Sequence, residues 1–123
     1  MSLNELAKEI HDNAKEKGFW YEERNKGECI ALMHSELSEA IEELRKGKPV
    51  TEIYTYRYNQ YQGGCESINL KDGEKPEGVP SELADCIIRI LDFCGAYNID
   101  IDKAINLKMK YNKTRPVMHG KKF

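Results

Sequence analysis

The segment at about residues 80–97 restricts the possible folds more than any other part of the sequence. At about 100° per residue, its apolar side chains cover more than half of the circumference of a helix. They are Leu83, Ala84, Ile87, Ile88, Ile90, Leu91 and Cys94. An ordinary surface helix buries a narrower stripe, so we expect this helix to lie at the centre of a bundle or to pack against another subunit. Because obligate interfaces resemble a domain core cut in half, we expect an oligomer.

Three further segments repeat apolar residues at helical spacing. They are residues 2–17, residues 26–46 and about residues 100–112. Ser2 and Asn25 precede two of these helices as N-caps, and Gly18 and Gly47 follow them as stop signals. A length of 123 residues is typical of one domain. The sequence therefore predicts an all-α fold, a four-helix bundle that forms a single domain over residues 1–123.

A long insertion at about residues 48–79 separates the second helix from the third. Tyrosines alternate with polar residues in its first half: Tyr54, Tyr56 and Tyr58. The pair Gly63-Gly64 offers a turn before Ile68 and Leu70, so the pattern predicts a small β-hairpin. Connections longer than about 15 residues in a compact domain are usually functional or mobile. The insertion is therefore a candidate lid.

Composition and cysteine spacing exclude several classes of protein. Charged residues make up 33% of the chain and hydrophobic residues 40%, which excludes collagen-like, low-complexity and wholly disordered proteins. The four cysteines form no C-x-x-C pair, which disfavours a zinc ribbon or a redox motif, and we interpret Cys86 and Cys94 as small core residues. No apolar run approaches the roughly 20 residues of a membrane span, and the first residues lack a signal-peptide core. We expect a cytoplasmic protein without membrane association.

Two acidic pairs carry the most chemical information. Glu36 and Glu39 lie on the second helix, and Glu82 and Asp85 lie on the third. A spacing of i, i+3 places both carboxylates of a pair on one helix face. If the two faces oppose each other, four carboxylates converge, and a divalent cation relieves their repulsion; oxygen ligands favour Mg²⁺ or Mn²⁺ over zinc. Solvated faces also carry such pairs, and Asp85 with Arg89 has the spacing of an ordinary surface ion pair.

Basic residues accumulate after Asp102, where the sequence contains no further acidic residue. They include Lys108, Lys110, Lys113, Arg115, Lys121 and Lys122. The helix dipole by itself favours cations near a helix C-terminus. Beside an acidic metal site, the same cations suit a polyphosphate. They also suit a nucleic-acid backbone, although the net charge of −2 argues against a broad basic footprint and makes nucleic acid an unlikely partner.

The combined pattern resembles the E-x-x-E … E-x-x-D metal signature of MazG-like nucleoside triphosphate pyrophosphohydrolases. The matching segments read "HSELSEAIEELRKGKP" and "PSELADCIIRILDFCGAYNIDIDKAINLKMKYNKTRP". The likeness covers most of the chain outside residues 50–75. It implies an all-α enzyme, related to the dimeric dUTPases, that uses Mg²⁺ to cleave a nucleoside triphosphate to the monophosphate and pyrophosphate. Single-domain members of the family assemble as dimers or as tetramers.

The resemblance also implies roles for particular residues. Glu36, Glu39, Glu82 and Asp85 take the positions of the Mg²⁺ ligands and form the catalytic centre, with Mn²⁺ as a substitute ion. Residues similar to those that contact phosphate in the family's tail are Lys108, Asn112 and Arg115. Two departures concern Ser35, which stands where the family often has a second Glu, and the insertion, which lengthens the gap between the two motifs. The insertion therefore bears on how the mouth of the site is covered.

Two residues outside the motifs complete the set of candidates. Phe19, Trp20 and Tyr21 form an aromatic run. Either this run anchors the core, or Trp20 stacks on the base of the substrate. We keep Trp20 as a substrate-binding candidate. Glu43 is either a group that supports the metal ligands without touching the ion or a solvated surface residue, and we favour the surface interpretation.

Two functions follow from these patterns, beside a third hypothesis of a purely structural helical subunit, which leaves the convergent carboxylates unexplained. The first is a Mg²⁺-dependent nucleoside triphosphate pyrophosphohydrolase that acts on the nucleotide pool. The alternative is a helical oligomer without catalysis that senses nucleotides, or that binds nucleic acid through its basic C-terminal segment.

Overall fold

The computed structural model describes residues 1–58, 63–67, 70–71 and 73–122, and within these ranges the chain is mostly helical. The elements in order are α1 (Leu3–Glu16), α2 (Lys26–Arg45), β1 (Tyr54–Tyr58), β2 (Gly63–Ser67), α3 (Val79–Ala96), α4 (Ile101–Asn112) and a short 3₁₀ helix (Val117–Gly120). The four predicted helices are confirmed, with ends that differ by a residue or two. Within the described ranges, no helix is long and apolar enough to cross a membrane.

The chain divides into two compact units. The terminal unit comprises residues 1–22 and 91–123, and the central unit comprises residues 23–90. The boundary lies within α3, so the first two-thirds of this helix belong to the central unit and its last turns belong to the terminal unit.

In the terminal unit, α1 and α4 cap each other at their first turns. The carboxylate of Asp102 accepts hydrogen bonds from the backbone N–H groups of Leu3 and Asn4, at 3.2 and 3.0 Å. In return, the Asn4 side-chain oxygen accepts from the N–H groups of Ile101 and Asp102, at 3.0 and 3.3 Å. Backbone donors at a helix start have no partner within the helix, so this exchange stabilises both ends at once.

The core of the terminal unit forms where the last turns of α3 approach α1. Ala7, Leu91 and Cys94 are buried there. A Cβ atom placed on Gly95 would lie 2.6 Å from the Cβ of His11 and 2.7 Å from the carbonyl oxygen of Ala7. Glycine is therefore required at position 95 of α3, because its missing side chain allows the backbones of α1 and α3 to approach closely.

In the central unit, α2 begins at the N-cap Asn25, whose side chain accepts from the N–H of Glu28 at 3.0 Å. The helix ends before Gly47, which has a φ of +79°. Cys86 of α3 is buried, and its thiol donates to the carbonyl of Met33 on α2 at 3.5 Å. The interpretation of Cys86 as a small core residue is confirmed, as it is for Cys94 in the terminal unit.

The insertion contains a pair of antiparallel strands. The register runs from Tyr54 opposite Ser67 to Tyr58 opposite Gly63. The prediction of a turn at Gly63-Gly64 is wrong, because both glycines lie in β2. Glycine adopts extended backbone as readily as turn conformations, so a Gly-Gly pair alone does not locate a turn. Ile68 lies outside the described residues, and Leu70 lies outside both strands.

Apolar side chains of α2 and α3 remain exposed in the central unit. They are Ile30, Leu37, Ile41 and Leu44 on α2, and Leu83, Ile87 and Ile88 on α3. Each of these side chains exposes between 42 and 55% of its surface. We call these seven residues the exposed apolar face of α2 and α3.

Candidate metal centre

Three of the four predicted carboxylates converge in the central unit. Glu36 of α2 and Glu82 and Asp85 of α3 each place one oxygen within 4.8 Å of the others. Glu82 and Asp85 share a face of α3 because they are three residues apart, and Glu36 reaches them from the neighbouring helix. Oxygen atoms at this separation lie close enough to share one divalent cation.

A cation from the protein already contacts this group. The guanidinium of Arg89 donates from Nε to Oε1 of Glu36 at 2.7 Å, and the Glu36 side chain is only 14% exposed. The sequence placed Arg89 in a surface pair with Asp85 on the same helix, whereas its hydrogen bond goes to the other helix. Arg89 thus balances a largely buried carboxylate and links α2 to α3.

Partial burial and the charges of neighbouring carboxylates disfavour ionisation of the two carboxylates on α3. Partial burial, followed by the charges of Asp85 and Glu36, raises the pKa of Glu82. Partial burial and the charge of Glu36 likewise raise the pKa of Asp85, although Arg89 and Lys75 oppose the shift. A divalent cation that binds at such a site gains binding free energy, because its positive charge removes the repulsion between the ionised carboxylates.

Glu39, the fourth predicted ligand, is not a member of this close group. Its side chain is exposed on α2, one turn beyond Glu36. Its charge nevertheless contributes to the raised pKa of Glu82. Glu39 therefore lies at the edge of the site, where its carboxylate is accessible to water.

Glu43 is buried, and the interpretation of this residue as a solvated surface group is wrong. Only 3% of Glu43 is exposed, and Oε2 accepts a hydrogen bond of 2.6 Å from the hydroxyl of Tyr54. Lys46 approaches the other carboxylate oxygen at 3.4 Å. Glu43 follows Glu36 by seven residues, which is two helical turns, and this spacing was the available signal that both face the same side.

Glu43 also belongs to a second group of carboxylates. Glu43, Glu77 and Glu82 each place one oxygen within 4.8 Å of the others, so Glu82 is common to both groups. Glu77 precedes α3 in the insertion and pairs with Lys75 at 3.4 Å. Sequence reasoning missed Glu77, because nothing in a polar loop distinguishes one Glu from another before the tertiary structure is known.

The predicted phosphate-binding residues belong to the terminal unit. Lys108 and Arg115 place their cationic groups 5.7 and 5.5 Å from the centre of the Tyr111 ring. Arg115 also donates to the carbonyl of His119 at 3.4 Å. Asn112 is the exposed last residue of α4. The carboxylates belong to the other unit, so the role of these three residues in binding phosphate stays a prediction.

Trp20 lies in the terminal unit, where a partly buried carboxylate orients its ring. Its indole N–H lies 3.0 Å from both oxygens of Asp92, and Nδ1 of His11 lies 2.8 Å from one of them. Phe19 and Tyr21 are 63 and 81% exposed, so the interpretation that the aromatic run anchors the core is wrong for these two residues. A Trp held by its N–H presents its ring in a defined orientation, which a stacking role requires.

The donor set fits a hard divalent cation. Both groups consist of carboxylates alone, without His or Cys, and oxygen ligands of this kind select Mg²⁺ or Mn²⁺ rather than zinc. Comparison with protein family models, with curated proteins and with solved structures finds no match to the chain.

Proposed function

We propose that the protein is a Mg²⁺-dependent pyrophosphohydrolase that cleaves a nucleoside triphosphate to the monophosphate and pyrophosphate. The observation that carries the proposal is the convergence of Glu36, Glu82 and Asp85 from two helices. These three belong to the two acidic pairs whose combined pattern resembles the MazG-like enzymes. Mn²⁺ is the proposed substitute ion, and a MazG-like bundle is the proposed fold.

The carboxylates have separate roles in the proposed reaction. Glu36, Glu82 and Asp85 hold the cation, which when bound neutralises phosphate charge and acidifies a coordinated water. Glu39 is exposed at the edge of the group, where it completes the ligand set and accepts the proton of the attacking water. Water then attacks the α or the β phosphorus, in line with the bond from that phosphorus to the oxygen that bridges the two, and the products are the nucleoside monophosphate and pyrophosphate.

The remaining substrate contacts are proposed from the sequence and its resemblance alone, for residues that belong to the terminal unit. Lys108 and Arg115 bind the charge of the pyrophosphate, and Asn112 donates to a phosphate oxygen. Trp20 stacks on the base, supported by the orientation that Asp92 imposes on its indole. The base and sugar of the substrate remain for experiment to identify.

The proposed active form is a homo-oligomer, either a dimer or a tetramer. Its support is the exposed apolar face of α2 and α3 in the central unit. A second copy of the same face would remove these side chains from water. Sedimentation equilibrium tests this proposal, and a monomer at micromolar concentration would contradict it.

The test of the function is pyrophosphate release from a panel of canonical and modified nucleoside triphosphates, with Mg²⁺ and with EDTA. Release from a subset of them, abolished by EDTA, supports the proposal. Glu39→Gln should lower kcat about 100-fold or more, because a catalytic base and ligand is lost. Glu42→Gln is the matched control, since Glu42 lies on the same helix in an exposed pair with Arg45 and should leave the rate unchanged.

Two results would contradict the proposal. Full activity in a folded Glu39→Gln protein would reject the role of Glu39. The absence of release from every nucleotide, together with Mg²⁺-dependent stabilisation by triphosphates, would favour the alternative of a nucleotide sensor without catalysis.

A further inference from the structure

The hydrogen bond between Tyr54 and Glu43 connects the insertion to the carboxylate-bearing helices, although neither residue belongs to an acidic pair. Tyr54 is fully buried at 0% exposure, and its hydroxyl lies 2.6 Å from Oε2 of Glu43. A hydrogen bond from a hydroxyl to a carboxylate is short and strong at this distance. Burial and the bond to Glu43 raise the pKa of Tyr54, so the hydroxyl keeps its proton and remains a donor.

The backbone of Tyr54 is joined to the segment that leads into α3. Its N–H donates to the carbonyl of Glu77 at 3.2 Å, and the N–H of Glu77 donates to the carbonyl of Tyr54 at 2.7 Å. Gly78 follows with a φ of +109°, and a Cβ atom there would lie 2.2 Å from the carbonyl oxygen of Glu52. The carbonyl of Gly78 then accepts from the N–H of Glu82 at 3.0 Å, in the first turn of α3.

Tyr54 thus contacts α2 and the segment that leads into α3, and these two helices carry the three converging carboxylates. The Tyr54 side chain is bonded to Glu43 on α2, the helix of Glu36 and Glu39, and its backbone is bonded beside the start of α3. Lys48 lies 4.2 Å from the centre of the Tyr54 ring and adds a contact that holds the ring in place.

We propose that Tyr54 and Glu43 are positioning residues that set the separation between α2 and the first turn of α3, and through it the place of Glu82 relative to Glu36. The inference rests on the proposed function, since it assigns these residues to the same metal centre. Groups that orient metal ligands without touching the ion typically change metal affinity or activity by about 10- to 100-fold when removed.

The experiment compares Tyr54→Phe with the wild-type protein. Phe keeps the ring and removes only the hydroxyl. Mn²⁺ alone is the first probe, titrated without nucleotide and followed by electron paramagnetic resonance. We expect the dissociation constant for Mn²⁺ to rise about tenfold. Tyr21→Phe is the matched control, because Tyr21 is 81% exposed and should leave Mn²⁺ binding unchanged.

Kinetics provide the second measurement. With Mg²⁺ held at the concentration that half-saturates the wild-type protein, a tenfold weaker metal site should lower the apparent kcat of Tyr54→Phe about fivefold and leave the KM for the nucleotide nearly unchanged. Raising the Mg²⁺ concentration should restore most of the lost rate. A merely structural role would lower the amount of folded protein without a shift in the Mg²⁺ concentration required.

A second variant separates positioning from direct ligation and serves where Tyr54→Phe does not fold. Glu43→Gln retains an oxygen that accepts from Tyr54 and removes the charge. If Glu43 positions the site, this variant should bind Mn²⁺ within about threefold of the wild-type protein. A loss of Mn²⁺ binding larger than about threefold would overturn the proposal, because it would make Glu43 a ligand.

The two proposals fail in different ways. Pyrophosphate release by the wild-type protein with unchanged Mn²⁺ affinity in Tyr54→Phe overturns the positioning role and leaves the function intact. An inactive wild-type protein whose Mn²⁺ affinity still falls in Tyr54→Phe rejects the enzyme and supports the positioning role. A wild-type protein that binds no Mn²⁺ overturns both.

Discussion

Asp85→Asn should stabilise the protein in the absence of metal, although it removes a proposed ligand. Glu36, Glu82 and Asp85 place oxygens within 4.8 Å of one another, and Arg89, which hydrogen-bonds to Glu36, only partly offsets the repulsion at Asp85. Two unit charges 4.8 Å apart repel by about 0.9 kcal/mol in water and by about 3.5 kcal/mol at an effective dielectric constant of about 20. Asp85 is exposed, so solvent screening favours the lower value.

The expected gain in the free energy of unfolding is therefore about 1 kcal/mol, which corresponds to a rise in Tm of about 3–5 °C for a chain of this size. The assay is thermal denaturation followed by circular dichroism, in EDTA and in Mg²⁺. Mg²⁺ at ten times its dissociation constant should stabilise the wild-type protein by about 1.4 kcal/mol. It should stabilise Asp85→Asn much less, so the order of the two Tm values reverses.

In EDTA, the difference in stability between Asp85→Asn and the wild-type protein should depend on pH. The reason is the raised pKa of Asp85, which burial and the charge of Glu36 cause. A carboxyl group with a raised pKa in the folded state contributes stability below its unfolded pKa, and that contribution is lost as the pH rises through the folded pKa. The advantage of Asp85→Asn in EDTA should therefore be small near the ordinary value of 3.8 and should grow as the pH rises towards 7.

Asp12→Asn is the control, because Asp12 lies in an exposed pair with Lys8 at 2.7 Å and belongs to neither carboxylate group. The hydrogen bond from Lys8 is the largest influence on Asp12 and lowers its pKa, so its ionised form is favoured, unlike that of Asp85. The control should lower the Tm slightly and leave the effect of Mg²⁺ unchanged. The reasoning is refuted if Asp85→Asn is no more stable than the wild-type protein in EDTA, or if Mg²⁺ stabilises both proteins equally.

Two further substitutions test the framework around the site. Arg89→Gln leaves Glu36 without its cation, so the free energy of unfolding, measured by urea denaturation in EDTA, should fall by about 1 kcal/mol. Saturating Mg²⁺ should recover most of this loss, and equal losses with and without Mg²⁺ would contradict the reasoning. Gly78→Ala should cost more than about 2 kcal/mol in the same assay, because the new Cβ meets the carbonyl of Glu52 at a positive φ. Gly73→Ala, also at a positive φ but with open space around it, should cost about 1 kcal/mol, and equal costs at both glycines would show that the contact with Glu52 is unimportant.

The helices could be predicted because their signals are local. Ser2 and Asn25 accept from backbone N–H groups of the first turn, and Gly47 follows α2 with a positive φ, as their types and positions indicate. The spacing of Glu82 and Asp85 likewise places both on one face of α3 without knowledge of any other element. Such features depend on contacts within a few residues, which the order of amino acids specifies directly.

The interactions of the site depend on which distant residues meet. Spacing predicted a partner for Arg89 one turn away on α3, and the structure instead brings Glu36 of α2 to its guanidinium. Glu43 was assigned to the surface because most glutamates are solvated, whereas Tyr54 of the insertion covers it.

The sequence by itself thus determined the helices, their caps and the two acidic pairs, because each depends on short-range geometry. Only the tertiary structure decided that Glu36 joins Glu82 and Asp85 while Glu39 stays exposed, and that Glu43 is buried beneath Tyr54. The physical reason is that a charge is stabilised or destabilised by whatever lies within a few ångströms, and the neighbours of these carboxylates come from elements far apart in the chain.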